Sequence, residues 1–114
     1  MNQFFATIEE ELEDHKSQAL ADGSTIGAFG ASPKAEENYG GWLLDRIGVR
    51  VDLIPSEADL PAYIAAAEAL YDKYVAPFDL PYVPNWLEPF VDSGIRQGIA
   101  PGIRKLYAVL HAGS

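Results

Sequence analysis

The sequence predicts a small all-α protein: an irregular bundle of four or five helices with a proline-rich connection and at most one short extended segment. Apolar residues recur at helical spacing in four stretches, and glycine, proline and serine separate those stretches. Only residues 49–54 alternate apolar and polar side chains as a strand does. With 114 residues, 48% of them hydrophobic and 22% charged, positions 1–114 are expected to form a single helical domain.

The first predicted helix covers residues 3–21. Its apolar positions include Ile8 and Leu12, which lie four apart and share one face. The carboxylates between Glu9 and Asp14 lie on the outer face of this helix. They also lie in its first half, where the helix dipole favours negative charge. We expect a glycine-rich loop to follow over residues 23–32.

The second predicted helix begins at Ser32 and Pro33, because serine is a preferred cap and proline is favoured in the first turn. Its buried face is expected to include Leu43, Leu44 and Ile47, and Gly48 is expected to end it. Residues 49–54 then form either an extended linker, which we favour, or a strand, for which the sequence offers no partner of equal quality.

Residues 57–75 show the strongest helical pattern, with Pro61 tolerated in the first turn and a wide apolar face. Four prolines between residues 76 and 89 then exclude a regular helix. We expect a further helix to begin at Trp86, capped by Asn85, and to break or kink at Pro101. A last short helix is expected over residues 102–111, with Leu110 among its inward positions.

Every fourth residue from position 78 to 102 is aromatic or glycine: Phe78, Tyr82, Trp86 and Phe90, then Gly94, Gly98 and Gly102. An isoleucine follows each glycine. On one helix face this pattern would give a glycine groove beside an isoleucine ridge, a surface suited to close packing against another backbone. The predicted interaction residues are Tyr82, Trp86, Phe90, Gly94, Ile95, Gly98, Ile99, Gly102 and Ile103. The alternative is that Gly94 and Gly102 only mark helix ends near Pro101.

The sequence predicts no catalytic, cofactor-binding or metal-binding residues. The glycine-rich loop lacks the Gly-Lys-Ser/Thr of a phosphate-binding loop, and no serine lies in a G-x-S-x-G turn. Glu11 and His15 are four apart, which matches no established metal motif. The chain has no cysteine, so disulfides and thiolate metal sites are excluded.

The net charge of −9 disfavours nucleic-acid binding, because the chain would repel phosphates. Twelve acidic and four basic residues lie in positions 1–60, whereas no acidic residue follows Asp92. No uncharged stretch approaches the roughly 18 residues that cross a bilayer, so a membrane partner is not expected. The default expectation is a cytoplasmic protein.

The expected function is a non-catalytic protein–protein interaction or assembly subunit that uses the C-terminal glycine–isoleucine helix and the nearby aromatic residues. The partner is another protein or a second copy of the chain, giving a homo-oligomer. One alternative is an acidic regulatory protein that binds a basic partner through the Glu9–Asp14 face, or mimics nucleic acid. Another is a small enzyme without a recognisable motif.

Overall fold

The computed structural model describes residues 6–14, 33–78 and 82–112. Four α-helices lie in these ranges: α1 (residues 6–14), α2 (Pro33–Val49), α3 (Leu60–Tyr74) and α4 (Ile95–Leu110). Short 3-10 segments accompany them at Arg50–Leu53, Glu57–Asp59, Ala76–Phe78 and Glu88–Ser93. No β-strand occurs within the described ranges. The predicted all-α bundle is therefore confirmed.

One apolar core joins the four helices. Ile8 and Leu12 of α1 are almost fully buried, as are Leu43, Leu44 and Ile47 of α2. The core members from α3 are Tyr63, Ile64, Ala67 and Leu70, and those from α4 are Ile99 and Ile103. The inward positions predicted for the first three helices are confirmed where the structure describes them, with Trp42, Tyr71 and Tyr74 only partly buried. None of the described helices is long and apolar enough to cross a membrane.

The prediction of a linker or strand at residues 49–54 was wrong. Val49 is the last residue of α2, and Arg50–Leu53 is a 3-10 turn. Val51 and Ile54 are almost fully buried, and the amide of Ile54 donates to the carbonyl of Val51 at 3.1 Å. Because residues three apart eclipse one another in a 3-10 turn, one tight turn buries both side chains. The alternation of apolar residues in the sequence does not match this burial, since Val49 is exposed.

The third helix begins three residues later than predicted, since Glu57–Asp59 forms a 3-10 turn before α3. Pro61 lies in the first turn of α3, as predicted. Ser56 does not cap the backbone; its hydroxyl donates instead to the carboxylate of Asp59 at 2.8 Å.

The predicted helix starting at Trp86 was also wrong. Residues 85–87 form a turn, Glu88–Ser93 is a 3-10 segment, and Gly94 separates it from α4 with φ of +89°. Helix α4 then runs through Pro101 without a break. Proline removes one backbone hydrogen bond, but Ile99 and Ile103 on either side of it are fully buried and hold both halves in the core.

Part of the prediction lies outside the described residues. Of the helix predicted over residues 3–21, the described part, 6–14, is helical. The rest of that span and the loop predicted at residues 23–32 fall outside the description.

Candidate interaction surface

Two aromatic residues of the four-step series, Trp86 and Phe90, pack against two of its glycines within the chain. Gly94 lies between the halves, and its positive φ redirects the backbone into α4. A Cβ atom on Gly98 would lie 2.9 Å from Cβ of Phe90, and one on Gly102 would lie 3.0 Å from Cζ3 of Trp86. Each aromatic residue thus meets the glycine at the same sequence distance on the other side of Gly94.

Leu87 occupies the groove between these glycines. Its side chain is fully buried, and its Cδ1 atom would lie 3.1 Å from a Cβ on Gly98 and 3.2 Å from one on Gly102. The close packing that glycines permit is present here between α4 and the segment that precedes it. A replacement of Gly98 by leucine would therefore disturb the chain's own packing first. The proposed role of the glycines in contacting another molecule stays a prediction.

Trp86 lies between two helices at a glycine on each. One edge of its indole faces Gly102 of α4, and the opposite edge faces Gly48 of α2, where a Cβ would lie 2.6 Å from Cε2. Its Nε1 atom is buried and finds no hydrogen-bond acceptor among the described residues. Such an orphan donor costs about 1–3 kcal/mol, so the packing of the ring must offset it. The sequence reading treated Gly48 only as a helix end and missed this contact.

Tyr82 holds the proline-rich connection against α2. Its ring stands over Gly41, where a Cβ would lie 3.2 Å from the ring carbons. Its hydroxyl donates to both carboxylate oxygens of Asp45, at 2.8 and 3.0 Å. This hydrogen bond, together with burial, raises the pKa of Tyr82 above its ordinary value. Tyr82 thus has a structural contact within the chain.

Helix α4 exposes two apolar side chains at its C-terminal end. Val109 is 64% exposed and Leu110 is 48% exposed. The expectation that Leu110 points inward was wrong. Burial decreases along the predicted inward positions: Ile103 is fully buried, Leu106 and Tyr107 are half-buried, and Leu110 is exposed. The helix therefore leaves the core towards its C-terminal end.

A cleft of about 200 Å³ lies beside these exposed side chains, between α4 and the preceding segment. We call the cleft together with Leu110 the α4 patch; its residues are Asn85, Trp86, Pro89, Lys105, Leu106, Val109 and Leu110. Its walls are mainly apolar and include Trp86. Of the nine predicted interaction residues, only Trp86 lines this cleft.

Charges of both signs border the α4 patch. Arg104 and Lys105 are exposed on α4, and the ammonium of Lys105 lies 5.9 Å from the centre of the Phe90 ring. Glu88 and Asp92 are exposed on the 3-10 segment at the other side of the cleft. Within the described part of the chain, Lys105 and Glu88 take part in no ion pair. Both charges are therefore available to a molecule that covers the patch.

Glu11, considered above with His15, is engaged in a different contact. It accepts hydrogen bonds from Nε of Arg46 at 2.6 Å and from Nη2 of Arg50 at 3.0 Å, and a second one from Arg46 Nη2. The guanidinium of Arg46 is the main cause that lowers the pKa of Glu11, and burial partly opposes it. His15 lies outside the described residues. In the described ranges no three His, Cys, Asp or Glu side chains cluster as metal ligands would.

The outer side of α1 is acidic. Glu9, Glu10, Glu13 and Asp14 are exposed and border one open depression. This places the acidic face that the sequence predicts on the surface of the bundle.

Comparison with protein-family models, with curated proteins and with solved structures finds no match for this chain.

Proposed function

We propose that the protein is a non-catalytic interaction or assembly subunit, and that it docks through the α4 patch. One observation carries the proposal: two exposed aliphatic side chains, Val109 and Leu110, lie beside an apolar cleft with a tryptophan wall. Large exposed apolar groups beside a pocket are typical of docking surfaces, and tryptophan is among the residues that dominate interface energies.

The proposal keeps the C-terminal helix as the docking element but moves the contact towards its C-terminus, where Lys105, Leu106 and Val109 continue the face that carries Gly102. The glycine side of α4 is filled by Leu87 and by the rings of Trp86 and Phe90. A partner that used Gly98 and Gly102 would have to displace these groups. A partner that used Val109 and Leu110 would find them already exposed.

A second copy of the chain is the simplest occupant, since it needs no further partner. We also propose a cytoplasmic location, because an acidic chain without cysteine has no need of an oxidising compartment. Nucleic acid is a poor occupant for a chain with a net charge of −9.

The test compares two exposed valines that differ in position. Val109→Asp places a charge in the α4 patch, whereas Val49→Asp places the same charge at the end of α2, where the valine is 53% exposed. The wild type is expected to self-associate at high micromolar concentration in light scattering and sedimentation. Val109→Asp should raise the dissociation constant at least about tenfold, which corresponds to about 1.4 kcal/mol. Val49→Asp should leave it unchanged.

A wild type that stays monomeric at millimolar concentration would overturn self-association. Equal effects of Val109→Asp and Val49→Asp would show that added charge, not the patch, controls assembly. Circular dichroism of each variant confirms that the helices are retained.

The acidic face of α1 supports a second candidate, a regulatory protein that binds a basic partner. Four exposed carboxylates lie on one side of a short helix. Such docking depends on charge and weakens as salt is added. Replacement of Glu9, Glu10 and Glu13 by glutamine would abolish it and leave docking at the α4 patch intact.

A further inference from the structure

Residues 85–93, which we call the strap, are attached to the bundle through side-chain packing. Within the described residues, every hydrogen bond of the strap joins positions between 84 and 94. Three strap residues, Trp86, Leu87 and Phe90, rest on glycines of α2 and α4. The others are exposed: Asn85, Glu88, Pro89, Val91, Asp92 and Ser93. Segments with few bonds to the rest of a fold open at a lower free energy than the whole domain.

Two further features favour opening of the strap. The indole Nε1 of Trp86 is buried without an acceptor among the described residues, so it would regain a hydrogen bond with water in the open state. Gly94, at the C-terminal end of the strap, is exposed, and the nearest atom to a Cβ placed there is Oε1 of Gln97 at 3.9 Å. The space around this backbone is therefore open, and a glycine here can serve as a hinge.

The strap also forms one wall of the cleft at the α4 patch. The strap contributes Asn85, Trp86 and Pro89, and α4 contributes Lys105, Leu106 and Val109. Opening of the strap would separate these two walls. A molecule that covers the cleft contacts both walls and so stabilises the closed state over the open one.

We propose that the strap opens as a unit about Gly94 while the four helices stay folded, and that the α4 patch binds its partner only when the strap is closed. The connection before the strap stays in place, because the hydroxyl of Tyr82 is held by the carboxylate of Asp45. The second half of this inference rests on the proposed function and adds the regulation of the same site.

Hydrogen exchange of the Trp86 indole N–H in the wild-type protein, followed by NMR, measures the opening. Trp86→Leu removes the signal and thereby assigns it. The control is the backbone amide of Ala67, a fully buried residue of α3. The protection factor of the indole should be at least about a hundredfold lower than that of Ala67. It should also change little at low urea concentrations, because a local opening exposes little surface. If both groups show the same urea dependence, the strap opens only with the whole protein and the inference is wrong.

A single thiol distinguishes movement of the strap from movement of the indole alone. The chain has no cysteine, so Leu87→Cys carries a unique thiol on the strap and Ala67→Cys carries one in the core. Both positions are almost fully buried. Leu87→Cys should react with a thiol reagent at least about tenfold faster than Ala67→Cys, again with little dependence on urea. Equal rates with equal urea dependence would contradict opening of the strap as a unit. Circular dichroism checks that both variants keep their helices.

Gly98→Ala should displace the strap without adding charge. A Cβ at this position would lie 2.9 Å from Cβ of Phe90 and 3.1 Å from the carbonyl oxygen of the same residue, so the strap backbone must move. Position 98 does not line the cleft. We expect the indole to lose its protection while Ala67 keeps its own. A closed fraction of about one tenth would raise the dissociation constant of self-association about tenfold.

The outcomes separate this inference from the proposed function. If the wild type does not assemble, the proposed function and the regulation fall together, while exchange and thiol labelling still decide whether the strap opens. If Gly98→Ala loses indole protection but assembles like the wild type, the strap opens and does not control the patch. If Gly98→Ala keeps the indole protection of the wild type, the strap is not the element that moves and the hinge at Gly94 is wrong.

Discussion

At the scale of single residues, glycine has two separate roles in the C-terminal part of the chain. Gly94 has φ of +89° and ψ of 152°, a conformation that is essentially restricted to glycine, and the space beside it is open. Gly48, Gly98 and Gly102 lie within α-helices, and large side chains approach them closely. The first glycine sets a chain direction, and the other three let Trp86 and its neighbours reach the backbone.

Trp86 allows a test in which the effect of one substitution on the free energy of unfolding should change sign between two backgrounds. Alanine in a helix interior is about 1 kcal/mol more favourable than glycine. At Gly48, however, a Cβ would lie 2.5–2.6 Å from Cδ1 and Cε2 of Trp86. Gly48→Ala should therefore lower the free energy of unfolding of the wild type by about 1–3 kcal/mol, the usual cost of overpacking.

The control is the same substitution in a Trp86→Leu background, where the nearest atoms of the indole are gone. There Gly48→Ala should be neutral or stabilising by up to about 1 kcal/mol. Urea unfolding followed by circular dichroism measures both backgrounds. A destabilisation of equal size in both would show that the indole is not what limits the space at Gly48.

The residues that make these contacts were visible in the sequence, but their pairing was not. The four-step series of aromatics and glycines could be read directly, and it correctly indicated close packing at Gly98 and Gly102. The inference that this face is free assumed that one helix begins at Trp86 and carries the glycines that follow. The turn at Gly94 instead folds Trp86 and Phe90 back onto Gly102 and Gly98. The four-residue spacing of the sequence does not indicate such a turn.

At the scale of elements, α1 is attached to the bundle by two kinds of contact. Ile8 and Leu12 are buried in the core, and Glu11 between them accepts hydrogen bonds from Arg46 and Arg50. One carboxylate thus links α1 to the last turn of α2 and to the 3-10 turn after it. The sequence predicted the apolar contact, because its spacing is local, but not the ion pair, whose partners lie 35 and 39 residues away.

The pH dependence of stability tests this link. Because the pKa of Glu11 is lower in the folded protein, its contribution is fully present above its unfolded value of about 4.3. That contribution is lost as the pH falls through the folded value. Glu11→Gln should lower the free energy of unfolding at pH 7 by about 1 kcal/mol, since the pair is only partly buried. The difference from wild type should shrink as the pH falls below the unfolded value and vanish once Glu11 is protonated in the folded protein.

Glu9→Gln removes the same charge from the exposed face of the same helix and provides the control. Urea titrations of the three proteins at several pH values give the comparison. If Glu11→Gln differs from wild type by the same amount at pH 7 and at low pH, the ion pair does not attach α1.

The element boundaries show where sequence reasoning loses detail. The inward positions of the first three helices follow from helical periodicity, and burial confirms those that the structure describes. The 3-10 segments were missed, because a turn of three to six residues is shorter than the window in which a period can be recognised. The sequence predicted that the helix breaks or kinks at Pro101. Tertiary packing prevents a break, since buried isoleucines on both sides stabilise the helix.

At the scale of the whole molecule, the charge distribution decides how assembly responds to salt. Each copy carries a net charge of −9, so two copies repel one another at long range. The proposed contact at the α4 patch is mainly apolar, and the charged residues at its rim are exposed, where ion pairs contribute little. Added salt screens the long-range repulsion as well as any such pair.

We therefore expect the dissociation constant of the wild-type dimer to stay constant or fall as sodium chloride rises from about 50 mM to about 500 mM, where the Debye length drops well below 10 Å. Light scattering across a concentration series at both salt levels measures it, and Val109→Asp, expected to be monomeric in both, is the control. Docking of the acidic α1 face onto the basic residues of α4 would show the opposite response, since its attraction is itself electrostatic. Dissociation of the wild-type dimer by salt would thus contradict an apolar contact at the α4 patch and favour the acidic face of α1 as the surface that carries function.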